Sequence, residues 1–355
     1  MKLLVFGANS QLGRELTRLL DYHEVDFAIL STAEVDVLKP KEVVKAVSRI
    51  NPTQLINVAT YTNLQKAEAD PAAAKLCDQV NTDGVTALAR VCEQLSIPII
   101  HHSSSYVFDG QKKDTYTEED EANPACRYGK SRWYGERTLR EQTKRHIILR
   151  TDWLFSEFRD KYFRMILDAC KQNGGKLGVI DNRFSPTWAA DAARVIFAIV
   201  KQVDCNAEVW GTYHYNAMQP VKQDQFVEHV LEEAAKMDKE LAKLLPSLEI
   251  ELLPVELPYI HNSALNCEKI MATFGIKQHS RGEGVTAVLE KIYGITKAAP
   301  ARKKNPKAAR PTAKKTGRSN QAKASAKNKA AQAKSPTRSK RPAKKAARQK
   351  SSPSS

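Results

Sequence analysis

Ser104, Tyr128 and Arg132 are the residues whose types and spacing could do chemistry in this chain. Residues 97–100 form an apolar run that reads as a buried strand, and the chain then delivers Ser103, Ser104 and Ser105 at the strand's end. The helix expected next carries Tyr128 and Arg132 four residues apart, so both side chains lie on one face about one turn from each other. A hydroxyl, a phenol and a cation make a proton-donating set, able to protonate an oxygen on which negative charge develops. A phenol titrates near ~10, and a cation within roughly 4–6 Å favours its ionised form. Arg132 can supply that field, but its planar, permanently charged fork changes the contacts and proton relay that a compact ammonium provides. Lys130 is no substitute, because two residues on from Tyr128 it faces away. By themselves a Tyr and an Arg at this spacing more often mark a solvated face; the strand-end serines and the motifs around them single out this pair.

The elements that must position this set alternate between strand and helix. Residues 3–6 are apolar and end at Gly7, and residues 11–20 show helical spacing through Leu12, Leu16, Leu19 and Leu20. Gly7 and Gly13 are six apart with Ser10 midway, so Gly7, Ser10, Gln11, Leu12 and Gly13 are candidates to hold a dinucleotide pyrophosphate at the helix N-terminus. The Ser10 hydroxyl could itself donate to a phosphate. Residues 27–30 read as a second strand ending at Ser31, with no acid there to hold a ribose 2′-hydroxyl and no nearby arginine to clamp a 2′-phosphate. NADP(H) is therefore tolerated and the preference between NAD(H) and NADP(H) is open. Helices at 41–50 and 72–94 and strands at 55–59, 97–102 and 146–149 continue the alternation, which specifies an α/β fold of the Rossmann type: a doubly wound parallel sheet covered on both faces.

Beyond residue 150 the pattern loosens into a smaller α/β lobe. Residues 179–188 read as a loop facing a substrate, residues 189–200 as a helix and 212–216 as a strand. Helices near 222–237 and 282–293 and a strand near 249–255 follow. The expected division is a dinucleotide-binding core over 1–150, to which 189–210 returns, a substrate lobe over 151–296, and a tail over 297–355.

The net charge of +16 is unevenly distributed. Residues 297–355 hold 20 of the 56 Lys and Arg and none of the 40 Asp and Glu, so the rest of the chain is mildly acidic. That segment contains no Val, Ile, Leu, Met or aromatic residue, cannot bury enough apolar surface to offset ordering, and is expected to be disordered. Its charge suits non-specific, salt-dependent binding of nucleic acid; without aromatics it has no platform on which bases could stack. Six scattered cysteines with no paired spacing argue for a reducing, cytoplasmic setting and against a structural metal. No stretch approaches the ~18 apolar residues that would span a bilayer. His101 and His102 at the strand end read as packing or hydrogen-bonding groups rather than ligands. Magnesium finds no support in the pattern, and nothing in it sets an oligomeric state.

With its motifs placed, the chain resembles the dTDP-4-dehydrorhamnose reductase family, the extended short-chain dehydrogenases that complete dTDP-L-rhamnose. The motifs run in the family's order: FGANSQLGREL at 6–16, EVDVLKP at 34–40, NVATYTNLQKAE at 57–68, SSSYVFDG at 103–110, YTEEDEANPACRYGKSRWYGE at 116–136, RTDWLF at 150–155, FSPTWAAD at 184–191 and FGI at 274–276. The resemblance implies a catalytic hydroxyl at Ser104, the acid at Tyr128 and its cationic partner at Arg132. It places adenine near Asp36 and Val37, the nicotinamide side near Ala59, Thr60 and Tyr61, and the sugar nucleotide around Tyr106, Trp153, Ser185, Pro186 and Thr187.

The departures gather at the ligands. Ser10 stands for a family glycine, Ser105 for an aspartate, Arg132 for lysine and Phe184 for a glycine, and an Arg-Pro pair before Asn262 is missing. The tail resembles histone-H1-like tails of some bacterial proteins. The expectation is an NADP(H)-dependent reductase of a nucleotide-linked 4-keto-6-deoxy sugar, weakened at its active site. The competing expectation is a non-catalytic protein that keeps the dinucleotide fold for sensing, as the regulatory subunit of methionine adenosyltransferase does, with a tail that binds nucleic acid.

Overall fold

Leu3 and Val5 face one helical layer and Leu4 and Phe6 the other, as the two-residue period of a strand buried on both sides requires. In the computed structural model, residues 1–31, 33–217, 219–278 and 282–295 are described, and all of them belong to one compact unit. The expected basic tail over 297–355 lies outside the described residues.

The chain runs β1 (Lys2–Phe6), α1 (Gln11–Tyr22), β2 (Asp26–Leu30), α2 (Pro40–Ile50), β3 (Gln54–Asn57), α3 (Leu64–Ala69), α4 (Pro71–Asp78), a π-helical turn Gln79–Asp83 and α5 (Gly84–Gln94). It continues through β4 (Ile99–Ser104), a 3-10 turn Ser105–Val107, α6 (Arg127–Gln142), β5 (His146–Thr151), β6 (Leu154–Phe155), α7 (Lys161–Gln172), β7 (Lys176–Ile180), β8 (Arg183–Phe184) and β9 (Thr187–Trp188). The remainder is α8 (Ala189–Asp204), β10 (Gly211–Tyr215), β11 (Val221–Lys222), α9 (Gln223–Ala235), α10 (Lys239–Leu244), β12 (Glu249–Leu253), α11 (Glu268–Phe274) and α12 (Gly282–Ile292).

Six strands form one parallel sheet in the order β10-β5-β4-β3-β1-β2. Leu12 and Leu16 of α1 pack with Val195 and Ile196 of α8 against one face. Val43 and Val47 of α2, Val85 and Leu88 of α5 and Leu139 of α6 cover the other. The doubly wound α/β architecture read from the alternation is thus the observed one. The strand order reverses between β1 and β3, which opens a crevice at their carboxyl ends where ligands of such sheets bind.

The segment 179–188 differs from the expected loop. It carries the end of β7 and the short strands β8 and β9, which pair with β11 and with β6. Its turn-forming residues hid two-residue strands too short for a period-2 signal. Similarly, α4, the π turn and α5 run on without a break through 71–94, and the short helices α3, α10 and α11 carried too few apolar positions to be read in advance.

Candidate active site

The turn between β1 and α1 is built for close approach. Gly7 has φ +110°, and a methyl there would come within 2.5 Å of Ala59 N; a methyl at Gly13 would overlap Gly7 O. Ser10 caps α1: its Oγ accepts from Gly13 N at 2.9 Å and donates to Gly7 O at 2.8 Å. The hydroxyl is therefore committed inside the turn rather than offered to a phosphate, as the sequence had allowed. The Gln11 and Leu12 N–H groups that follow find no acceptor among the described residues, and the first turn of α1 contains no acid. Free N–H donors without a competing carboxylate fit a dinucleotide pyrophosphate.

At the end of β2 the structure corrects the sequence reading. Ser31 is not remote from an acid, since its N–H and Oγ each lie 2.8 Å from Glu34 Oε2. The hydrogen bonds from Ser31 hold the Glu34 carboxyl below its ordinary range. Nearby, Asp36 Oδ1 accepts from Leu38 N at 3.0 Å and the buried Val37 packs over Gly84.

β4 ends at Ser104, and α6 carries Tyr128 and Arg132 one turn apart. Ser104 Oγ accepts from Tyr106 N at 3.3 Å, starting the 3-10 turn. Tyr128 is buried against Tyr61, Leu64 and Tyr106, and its hydroxyl takes no partner among the described residues. Arg132 is fully buried, donating from Nη1 to Thr60 Oγ1 at 2.9 Å and from Nη2 to His102 O, while Nε finds no acceptor. It makes no ion pair with any described carboxylate. Burial, aided by Arg132, pushes His102 down to about 3 and His101 also down, so both rings stay neutral. They are hydrogen-bonded, His102 to Thr151 Oγ1 at 2.8 Å and His101 to Asn57 Nδ2 at 3.1 Å.

Asn81, missed in the sequence, ties this side together from the π-helical turn. Its Oδ1 accepts from Tyr61 N at 2.9 Å and Thr60 Oγ1 at 3.1 Å, and its Nδ2 donates to Ser131 Oγ at 3.0 Å. Such single-turn widenings are frequent at functional sites. The sequence carried no signal for it, because Asn81 lies in the polar stretch DQVNTD and only its complete burial in the structure sets it apart.

Of the residues expected to hold the sugar nucleotide, Tyr106 sits with its ring 5.9 Å from that of Tyr128 in an edge-on arrangement. Ser185, Pro186 and Thr187 are buried, with Thr187 N donating to Trp153 O at 2.9 Å. Trp153 is half-withdrawn into an aromatic cluster with Phe155, Tyr162, Phe184 and Phe226, so its ring is braced by core rather than free-standing. An open groove of about 500 Å³ lies between α3, through Gln65, Glu68 and Ala69, and the segment from Leu253 to Tyr259. Among the described residues no helix is long and apolar enough to cross a membrane, and no group of three or more His, Cys, Asp or Glu is placed to hold a metal.

The pattern of the family described as RmlD substrate binding domain matches residues 1–293. The dTDP-4-dehydrorhamnose reductase of Aggregatibacter actinomycetemcomitans is 33% identical over 280 residues, covering 78% of this chain and 94% of that protein. The enzyme of the same name from Escherichia coli K12 is 29% identical over 307 residues, covering 83% and 99%. Among solved structures, a dTDP-4-dehydrorhamnose reductase ortholog from Clostridium acetobutylicum superposes with TM-score 0.68 at 25% identity, over 82% of this chain and 98% of that one. The Bacillus anthracis enzyme in complex with NADP shares the fold at TM-score 0.67 and 22% identity. The crevice residues, the parallel sheet that carries them and these likenesses together show that this chain belongs to the dTDP-4-dehydrorhamnose reductase family.

Proposed function

We propose that the chain is an NAD(P)H-dependent reductase of a nucleotide-linked 4-keto-6-deoxy sugar. The observation that carries this reading is the buried Tyr128, its hydroxyl without a partner among the described residues, one helical turn from a buried cation and packed on Tyr106, whose N–H donates to Ser104 Oγ at the end of β4. The bound dinucleotide would supply the hydride. Gln11 and Leu12 N–H would hold its pyrophosphate, and Thr60 and Tyr61, fixed by Asn81, would flank the reacting end. Ser104 Oγ would donate a hydrogen bond to the sugar's keto oxygen, and the Tyr128 hydroxyl would give its proton to that oxygen as it becomes an alkoxide. Arg132 would favour the phenolate left behind. In this reading residues 1–150 with 189–210 serve the cofactor and 151–296 the sugar nucleotide.

The test is to follow NADH and NADPH oxidation with dTDP-4-keto-6-deoxymannose, for the parent and for Tyr128→Phe. Turnover that falls by ~10²-fold or more in the variant, with dinucleotide binding unchanged, is the expected result. A parent that binds dinucleotide but never oxidises it would instead make the protein a sensor.

Composition supports one further assignment: the 20 positive charges of 297–355 bind nucleic acid by releasing counterions. Retention of the full chain on DNA should fall steeply with salt, and a salt-independent or absent retention would contradict it. The cytoplasm is the setting that free cysteines at all six positions favour.

A further inference from the structure

We propose that Asp152 is a positioning residue for the sugar, which sets the direction of the Ser105 hydroxyl and holds the segment bearing Ser185 against the end of the sheet. This rests on the reductase reading and deepens it, by naming the kind of sugar face the site accepts. The strands β4 and β5 are parallel neighbours with Ser103 opposite Arg150 and Ser104 opposite Thr151, so one step further Ser105 meets Asp152. Ser105 Oγ donates to Asp152 Oδ1 at 2.7 Å. The other oxygen, Oδ2, accepts from Ser185 N at 2.6 Å and Ser263 Oγ at 2.9 Å. Three segments distant in sequence thus converge on one carboxylate that is only 4% exposed, with Ser105 and Ser185 wholly buried around it.

Two features make this more than a structural tie. First, Asp152 forms no ion pair with a described cation, and a buried carboxylate without one is costly to keep. Burial accordingly pushes it up to about 6, against the opposing hydrogen bonds from Ser185 N–H, Ser105 and Ser263. Second, Ser185 Oγ is buried and finds no partner among the described residues, an unsatisfied hydroxyl in the same cluster that a ligand group would complete. The cluster also reaches the proton donor: the Asp152 charge acts on Tyr106, whose ring packs on Tyr128.

The chemical consequence follows from hydrogen-bond polarity. While Asp152 is ionised, the Ser105 proton points at it, so that hydroxyl has only lone pairs left for any group that reaches it. An unpaired buried carboxylate also repels an anion. The site therefore takes a neutral sugar face that presents hydroxyl donors and rejects a uronic acid carboxylate or a phosphate there. Position 105, where the resembled family carries aspartate, holds a hydroxyl here; the carboxylate stands one strand over.

The experiment measures binding of dTDP and of dTDP-rhamnose to the full chain in the presence of NADPH, for the parent, Asp152→Asn, Asp152→Ser, and the double variant Ser105→Asp with Asp152→Ser. The ratio of the two dissociation constants reads the sugar's contribution and needs no turnover. We expect Asp152→Asn and Asp152→Ser to shrink that ratio by ~10-fold or more with dTDP binding unchanged, and the double variant to restore most of it, because the carboxylate returns from the neighbouring strand. A ratio unchanged in a folded single variant overturns the proposal, and so does a double variant no better than Asp152→Ser. If the single variants do not fold, the folded double variant decides alone: it must keep the parent's preference for dTDP-rhamnose. A parent that binds dTDP and dTDP-rhamnose equally well would instead overturn the sugar-reductase reading, and the proposal with it.

Discussion

The guanidinium of Arg132 rests on Thr60, with Nη1 donating to Thr60 Oγ1 at 2.9 Å and the whole side chain sealed from solvent. Its remaining bond is to the main-chain oxygen of His102, and none of its described partners is an acid. A buried cation held only by neutral acceptors has no opposite charge to offset its desolvation, so an apolar side chain of similar volume relieves that cost. Arg132→Met is therefore expected to keep or raise the thermal midpoint while lowering turnover by ~10²-fold. Arg132→Lys frees a compact ammonium from Thr60 and His102 and is expected to raise turnover above the parent. Thermal unfolding and cofactor oxidation, measured side by side, decide the matter: loss of stability in Arg132→Met with full turnover would show a brace and not a functional cation.

Asn81 gives the second prediction. Its amide satisfies both polar groups of the Tyr61 peptide, through Tyr61 N at 2.9 Å and Tyr61 O at 3.2 Å. Truncation leaves Tyr61 N without its partner, while Tyr61 O keeps Thr60 Oγ1 at 3.2 Å, at a cost of about 1–3 kcal/mol. Asn81→Ala should be destabilised by that order in denaturant unfolding and should bind the dinucleotide more weakly, because Thr60 and Tyr61 lose their anchor. Unchanged dinucleotide affinity would separate the Thr60–Tyr61 turn from the cofactor site.

The contrast between Asn81 and Tyr128 shows what was legible in the sequence. Tyr128 and Arg132 could be paired in advance because helical spacing is local, and the sheet followed from strand-helix alternation. The roles of Asn81 and Asp152 come from segments 20 to more than 100 residues away, as in the Asn81 bond to Tyr61 and the Asp152 bond to Ser263. No periodicity reports such contacts. Ser31 and Ser10 are a different case: nothing in the sequence showed that each hydroxyl is already engaged, by Glu34 and by the turn it caps.

A third prediction concerns Glu136, a fully buried carboxylate on α6. Burial pushes it up, but Arg150, with bonds of 2.7 and 2.9 Å, and Arg140 more than reverse this and hold it at about 2. A carboxyl depressed from 4.5 in this way contributes stability that is complete above about 4.5 and lost as pH falls toward 2. Glu136→Gln strands Arg150 in the core and should cost about 3–5 kcal/mol at neutral pH. It should also flatten the acid limb of the stability curve; an acid limb as steep as the parent's would assign that loss to other groups.

Glu15 on α1 behaves in the opposite sense. Its side chain is 1% exposed, and burial raises it to about 7 although Arg18, half in solvent, pairs with it at 2.7 Å and Glu157 adds a second negative charge nearby. Between the unfolded value of 4.5 and the folded value near 7 the native state binds more protons than the unfolded one, so stability falls as pH rises through this window. Glu15→Gln cannot ionise and should escape that fall. The variant is expected to match the parent near pH 5 and to exceed it at pH 8, by up to about 3 kcal/mol. Urea unfolding at the two pH values checks this directly: a difference between the two proteins that does not grow with pH means that Glu15 stays ionised on its pairing with Arg18.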